Sequence, residues 1–205
     1  MYMSFETSNY IKVENFISPE LCNIFKMYAL FDELNDFTGD LQYPSTHSRC
    51  ADCFTESLLL HLKSKMENIT NRKLIPTYSY FRNYTNGDIL PDHMDRNACE
   101  NSASLTMFFD YKGKPDDYRW PLHVYVKGEK KYLHCDVGDA IIYDGLKIKH
   151  GREVLSAGKG TRHIQIFLHY VDADGPYASS DKYDKRKCIG IKRPLRPLGS
   201  NIIGI

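Results

Sequence analysis

The sequence lacks a long apolar run and has no excess of charge of either sign. A membrane-spanning helix needs about 20 consecutive apolar residues, and the sequence of 205 residues contains no such run. The 27 basic and 26 acidic residues give a net charge of +1, so no general electrostatic field attracts nucleic acid or an anionic membrane. We therefore predict no membrane partner, and the charge balance argues against nucleic acid.

The sequence also lacks an export signal. Met1–Asn9 contains Glu6 and has no basic segment followed by an apolar stretch, which predicts a cytoplasmic protein with reduced cysteines. Cys50 and Cys53 form a CxxC pair, but a structural zinc site would need two further ligands at matching spacing. No such pair stands nearby, so the role of these two cysteines is left open.

Two helices are predicted near the start of the chain. Ser18 is a favourable cap, proline suits the first helical position, and apolar residues follow at helical spacing, which predicts a helix from Pro19 to Phe31. A second apolar stripe predicts a helix from about Thr55 to Asn71. The polar, turn-rich stretch from Asn35 to Ser48 is expected to be a loop.

From Leu74 onward, short runs of β-branched and aromatic residues alternate with turn residues, as in a protein made of many short strands. The candidate strands are Leu74–Tyr84, Ser104–Tyr111, Leu122–Val126, Lys131–Cys135, Ala140–Tyr143, Lys149–Glu153 and Arg162–Val171. This order predicts an α+β, mainly β protein: one domain over residues 1–205, with a jelly-roll core at about 74–172 buttressed by helices. Residues 173–205 are predicted to be a surface tail.

Three side chains are candidates for a metal site. His93 and Asp95 are two residues apart, so on an extended strand they point to the same face. They supply two of the three ligands of the facial triad that holds Fe(II) in non-haem oxygenases. His150 follows an apolar strand 57 residues later and is the candidate for the third ligand.

Two arginines are candidates for binding an acidic cosubstrate, since a guanidinium can grip a carboxylate with two parallel hydrogen bonds. Arg162 opens the last apolar strand, and if it points inward, Ile164, Ile166 and Leu168 point inward with it. Arg152 would share the inward face of its strand with His150. We favour Arg162, with Arg152 as the competing candidate.

The ordered set formed by Tyr84, the pair His93 and Asp95, His150 and Arg162 resembles the Fe(II)/2-oxoglutarate-dependent oxygenases, nearest their prolyl-4-hydroxylase-like branch. The resemblance covers residues from about 11 to 172. It implies a double-stranded β-helix, the cupin-like form of jelly roll, with Fe(II) on the two histidines and the aspartate. It also implies that the strand arginine binds the distal carboxylate of 2-oxoglutarate and that Tyr84 helps to hold it.

The activity implied by the resemblance is that of a dioxygenase that hydroxylates a C–H bond and releases succinate and carbon dioxide. Its partners would be 2-oxoglutarate, oxygen and a substrate, with ascorbate as an optional reductant. Peptidyl proline is the leading substrate class, and a free amino acid or another small metabolite is the alternative. Relatives usually carry a Gly-Gly-x-Leu stretch where this chain has Arg119–Val124. An alternative of another class is a cupin-like metal-binding module without oxygenase activity.

Overall fold

A computed structural model of the chain describes residues 4–40 and 44–191. The described helices are α1 (Phe5–Ser8), α2 (Pro19–Asn35), α3 (Cys53–His61) and α4 (Lys63–Thr70). The described strands are β1 (Tyr10–Val13), β2 (His47–Cys50), β3 (Leu74–Tyr84), β4 (Leu90–His93), β5 (Asn101–Asp110), β6 (Leu122–Val126), β7 (Glu129–Leu133), β8 (Ala140–Asp144), β9 (His150–Arg152) and β10 (Arg162–Asp172). Short 3₁₀ helices span Asn97–Cys99 and Lys182–Lys185.

The strands form two antiparallel sheets that share a core. The larger sheet has the order β1-β8-β5-β10-β3-β2, and the smaller one has the order β4-β9-β6-β7. Tyr10 and Ile141 of the larger sheet pack in one buried cluster with Leu122 and Val124 of the smaller sheet. The predicted fold class, a mainly β jelly roll with buttressing helices, is confirmed.

The helices cover the outer face of the larger sheet. α2 begins where the sequence predicts, because Ser18 accepts a hydrogen bond from the backbone N–H of Leu21 and proline follows at the first position. Phe25 of α2 packs edge-to-face on Phe81 of β3, with ring centroids 5.4 Å apart. This contact joins a buried cluster that also contains alternate residues of β10. The helices thereby fix which face of β10 points away from the smaller sheet.

Several parts of the chain differ from the sequence prediction. The second predicted helix is divided at Leu62 into α3 and α4, and α3 starts earlier because Asp52 caps it by accepting from the N–H groups of Phe54 and Thr55. The predicted loop ends in β2, which pairs with the edge of β3. α1, β1 and β4 were not predicted; each has four residues, which are too few to show a period.

Part of the predicted surface tail is anchored by a buried ion pair. Arg186 makes two hydrogen bonds, of 3.0 Å and 2.6 Å, to the carboxylate of Glu56 in α3 and a third, of 2.9 Å, to the carbonyl of Thr77. Both partners of the ion pair are almost fully buried. The tail is therefore tied to the body at least as far as this pair, while residues 192–205 lie outside the described residues. The division of the chain into one domain stays a prediction.

No helix in the described part of the chain combines the length and the apolar character needed to cross a membrane.

Candidate metal centre

The two histidines and the aspartate singled out in the sequence converge at one end of the smaller sheet. His93 ends β4 and lies opposite His150, which begins β9, and the two ring centroids are 4.4 Å apart. Oδ1 of Asp95 lies 3.5 Å from Nε2 of His93 and 3.9 Å from Nε2 of His150. Ligand atoms held at about 2.1 Å on one metal ion are about 3 to 3.5 Å apart, so a small closing movement would complete a three-ligand site.

The backbone selects the tautomer that metal binding requires. Nδ1 of His93 lies 2.8 Å from the carbonyl oxygen of Pro91, and Nδ1 of His150 lies 2.9 Å from that of Ile148. A carbonyl oxygen only accepts, so each Nδ1 carries the proton and each Nε2 keeps its lone pair. Both lone pairs belong to the nitrogens that face Asp95.

Asp95 is held in place by a close backbone approach. Its N–H donates to the carbonyl oxygen of Gly145, 2.9 Å away, and Ser102 donates to its Oδ2 from 3.2 Å. A β-carbon on Gly145 would lie 2.5 Å from that Oδ2 and 2.3 Å from the carbonyl oxygen of Cys99. Only glycine leaves room for the carboxylate here, although the sequence gives this residue no more prominence than other turn glycines.

The ionisation of the three side chains suits a cation. Burial acts to raise the pKa of Asp95, but the contact with His93 and the nearby His150 lower it below its usual 3.8. Burial lowers the pKa of His150 below 6.5. Burial also acts to lower the pKa of His93, but the contact with Asp95 outweighs it and raises that pKa. At neutral pH the site therefore offers a carboxylate and one imidazole that is already neutral, while His93 is the ligand most exposed to competition from protons.

The three side chains line a cavity of about 210 Å³ between the sheets. Its wall also contains residues not assigned to the site from the sequence: Tyr78, Tyr80, Arg82, Leu90, Tyr143, Phe167 and His169. Tyr84 lines the same cavity, as the resemblance implied, and is fully buried. The strand period carried a usable signal, because Tyr78, Tyr80 and Arg82 share the face of β3 on which Tyr84 lies.

Arg162 does not reach this cavity, contrary to the sequence-based expectation. Its guanidinium lies 3.0 Å from Oε1 of Glu33 in α2, on the face of β10 that the helices cover. Ile164, Ile166 and Leu168 pack on the same side, in the cluster that includes the helices. The physical reason is that this apolar stripe buries itself against α2 to α4, which directs Arg162 outward with it.

Arg152 instead points into the interior between the sheets. It is 2% exposed, donates to the carbonyl oxygen of Trp120 at 2.5 Å and to Oε1 of Gln165 at 3.3 Å, and lies 4.8 Å above the Trp120 ring. Its Nε has no hydrogen-bond partner. Among the described residues it forms no ion pair, and residues 1–3, 41–43 and 192–205 contain no Asp or Glu. Within the described residues, a buried cation thus stands without an acidic partner.

A polar network holds Arg152 from behind. Oε1 of Gln165 accepts from Arg152 and also contacts Nε2 of His163 at 2.7 Å, while Tyr111 contacts Nδ1 of His163 at the same distance. Burial, together with the positive charge of Arg152, keeps the pKa of His163 well below 6.5. His163 is therefore a neutral hydrogen-bonding residue on the inner face of β10.

Solved structures with the same architecture are numerous, although no protein-family model matches the chain and no curated protein is significantly similar. A prolyl-4-hydroxylase from Pseudomonas putida aligns over 82% of this chain and 95% of its own, with a TM-score of 0.62 and 11% identity. An oxidoreductase of the 2OG-Fe(II) oxygenase family from Burkholderia pseudomallei aligns over 88% and 90%, with a TM-score of 0.63 and 11% identity.

HygX from Streptomyces hygroscopicus, crystallised with nickel and 2-oxoglutarate, aligns over 83% of this chain and 85% of its own, with a TM-score of 0.60 and 15% identity. It has also been crystallised with hygromycin B bound. At identities of 11 to 15% these similarities establish the fold. The chain therefore has the fold of the 2-oxoglutarate- and iron-dependent oxygenases, and the resemblance carried by its motifs is confirmed at the level of the fold.

Proposed function

We propose that this protein is an Fe(II)- and 2-oxoglutarate-dependent dioxygenase. The observation that carries the proposal is the convergence of His93, Asp95 and His150, with both Nε2 lone pairs available and a carboxylate oxygen between 3.5 and 3.9 Å from them. Two imidazoles and one carboxylate are the donor set of the non-haem Fe(II) facial triad. The residues present fit the metal.

The metal, when bound with 2-oxoglutarate and oxygen, supplies the oxidising power that converts the cosubstrate to succinate and carbon dioxide while a substrate C–H bond is oxidised. His93, Asp95 and His150 would hold the metal and would leave its remaining coordination positions to the cosubstrate and oxygen. Leu90 and Tyr143 line the cavity beside the triad.

Arg152 is the residue that we propose binds the distal carboxylate of 2-oxoglutarate. Burying an unpaired guanidinium costs several kcal/mol, and a dianionic cosubstrate that enters the same interior would compensate for this cost. Arg82, the arginine that lines the cavity itself, already pairs with Asp40 at 2.7 Å. Tyr84 lies in the cavity wall with its hydroxyl 3.3 Å from Nη1 of Arg82, and we propose that it orients the cosubstrate.

For the substrate we propose a C–H bond presented at the aromatic part of the cavity, where Tyr78, Tyr80 and Phe167 form the wall. Peptidyl proline is the first class to test, because a neighbour in the fold is a prolyl-4-hydroxylase. Free amino acids and other small metabolites follow, because another neighbour has been crystallised with hygromycin B.

The experiment that tests the activity needs no substrate. Purified protein with Fe(II) and 2-oxoglutarate should consume oxygen and release succinate slowly, and Asp95→Ala should abolish this turnover together with most of the metal affinity. Asp92→Ala is the matched control, since Asp92 bonds to His123 and Tyr125 instead of the triad, and it should keep both properties.

The cosubstrate assignment is tested by the two arginines in parallel. Arg152→Lys should raise the KM for 2-oxoglutarate, whereas Arg162→Ala should leave it unchanged. If the wild-type protein binds Fe(II) but shows no succinate release under any of these conditions, the chain is a metal-binding jelly roll of the cupin type and the proposed activity is wrong.

A further inference from the structure

A second group of metal-binding side chains adjoins the triad and includes a cysteine. The ligand atoms of Asp95, Cys99 and His169 all lie within 4.8 Å of one another. Cys99 and His169 are 2% and 5% exposed, and His169 lines the same cavity as Asp95. We propose that this group is a site for a thiophilic divalent cation of the zinc class, which competes with iron for Asp95.

The local fold brings the three residues together. The 3₁₀ helix Asn97–Cys99 turns the chain back directly after Asp95, so Cys99 faces the end of β10 that carries His169. Ser102 connects the group, because its hydroxyl oxygen lies 2.8 Å from Nδ1 of His169, 2.9 Å from the carbonyl oxygen of Cys99 and 3.2 Å from Oδ2 of Asp95. The group is thus built into the fold, and a chance meeting of mobile surface side chains does not account for it.

An aromatic side chain closes the site on one side. The Tyr78 ring lies 4.5 Å from the imidazole of His169, and its hydroxyl lies 3.2 Å from Sγ of Cys99. A cation bound here would have sulfur, nitrogen and carboxylate oxygen ligands. Its fourth position would open toward the cavity, through which the ion can enter.

The ligand chemistry distinguishes the two groups. A thiolate, an imidazole and a carboxylate form a set that zinc-class ions bind in tetrahedral geometry, and soft thiolate ligands favour such ions over Fe(II). Binding transfers the thiol proton of Cys99 to solvent as the metal–sulfur bond forms. The triad with His93 and His150 contains no sulfur. Because Asp95 belongs to both groups, a cation on Cys99 and His169 deprives iron of its carboxylate ligand.

Cadmium binding provides a test that does not depend on activity. The parent protein for this test carries Cys50→Ser, Cys53→Ser and Cys188→Ser, which removes the exposed or half-buried thiols. Titration of the metal-free parent with Cd²⁺ should produce the ultraviolet thiolate-to-cadmium charge-transfer band and saturate at one equivalent. Adding Cys99→Ser should abolish the band.

Three further variants separate this site from its surroundings. His169→Gln should weaken cadmium binding by at least about tenfold, and it gives a second route to the answer should Cys99→Ser fold poorly. His93→Ala should keep the band, because it removes only a ligand of the triad. Cys135→Ser is the matched control with another buried thiol, whose pKa is raised to about 11 by burial, and it should also keep the band.

An activity measurement then links the site to the proposed function. Zn²⁺ should inhibit 2-oxoglutarate turnover in the parent protein at concentrations at least tenfold lower than in the Cys99→Ser variant. Inhibition alone does not decide, because Zn²⁺ also displaces iron from histidine ligands. A parent protein without the cadmium band, or a band that survives Cys99→Ser, would overturn the second site. Loss of all turnover with an intact band would refute only the proposed activity.

Discussion

Replacing Arg152 by methionine should separate what this residue does for the fold from what it does for the cosubstrate. Methionine keeps an unbranched apolar stem of similar length and removes the buried charge. If the role of Arg152 is to bind an anion, the variant should have a free energy of unfolding close to that of the wild type and a much lower affinity for 2-oxoglutarate. If Arg152 holds the interior together, the variant should unfold more easily.

The contacts of Arg152 allow both effects to be estimated. Methionine would forfeit two hydrogen bonds, to Trp120 and Gln165, and the contact with the indole ring, which together are worth about 4 to 5 kcal/mol. It would also remove the penalty of burying an unpaired charge, which is several kcal/mol. We expect the free energy of unfolding without ligand to change by less than about 2 kcal/mol. Loss of a two-pronged carboxylate contact should weaken 2-oxoglutarate binding by about 100-fold or more.

Urea unfolding of the metal-free protein gives the first quantity, and equilibrium binding of 2-oxoglutarate to the protein loaded with a redox-inert divalent metal gives the second. Arg162→Met is the control, because it breaks a partly exposed ion pair with Glu33, which is worth no more than about 1 kcal/mol, and leaves the cavity unchanged. A destabilisation above about 3 kcal/mol in Arg152→Met, with normal 2-oxoglutarate affinity, would show that the arginine is structural.

Three other perturbations have expected outcomes. Gly145→Ala should destabilise the fold by about 1 to 3 kcal/mol in urea and lower metal affinity, because the new methyl group would lie 2.3 Å from the carbonyl oxygen of Cys99; unchanged metal affinity would contradict the close-approach argument. His163 stays neutral in the folded protein because its pKa is lowered, whereas in the unfolded chain it binds a proton below about pH 6.5. The free energy of unfolding should therefore decrease by up to about 1.4 kcal/mol for each unit by which the pH is lowered below that value. His163→Gln should reduce that slope in pH-dependent urea titrations, and an identical slope would count against a neutral His163. Glu56→Ala should cost about 3 to 5 kcal/mol, because it leaves the buried charge of Arg186 unpaired; a loss under 1 kcal/mol in thermal or urea unfolding would argue against the anchor.

The elements of the β core could be predicted closely from the sequence, because their alternating apolar residues and intervening turns give independent signals. β3 and β6 occupy the residues predicted for them, and β10 differs by one residue at its end. β1, β2 and β4 were missed because they are four-residue strands at sheet edges: β1 and β2 at the two edges of the larger sheet, and β4 at one edge of the smaller sheet. Edge strands pair on one side only, so their sequences carry less of the apolar pattern that reveals a strand.

From the sequence, the wrong face of β10 was placed toward the cavity, because in a jelly roll with buttressing helices both faces of a central strand can be buried. Both faces of this strand are buried, and the sequence shows that the two faces differ but does not show which one lies inside. We placed the apolar stripe beginning at Ile164 in the cavity, whereas helices cover it. The other stripe, with His163, Gln165 and His169, forms the interior. In such a fold the polar stripe of a doubly buried strand is the better indicator of the functional face.

β9 places one of the two candidate arginines on the same face as a candidate metal ligand, as the strand period predicts. His150 and Arg152 are two residues apart, so they share a face and their Cα atoms are separated by about 6.6 Å along the strand. Across the sheet, β4 places His93 opposite His150 and Leu90 opposite Arg152, with a bulge that absorbs the extra residue. Such a bulge changes the direction of side chains locally. Here it accommodates the extra residue of β4, so that His93 lies beside His150 while Arg152 stays in the interior. One three-residue strand thus carries a metal ligand at one end and an unpaired cation at the other. We propose that an extended five-carbon dicarboxylate spans this strand, with its chelating end on the metal and its far carboxylate on the guanidinium.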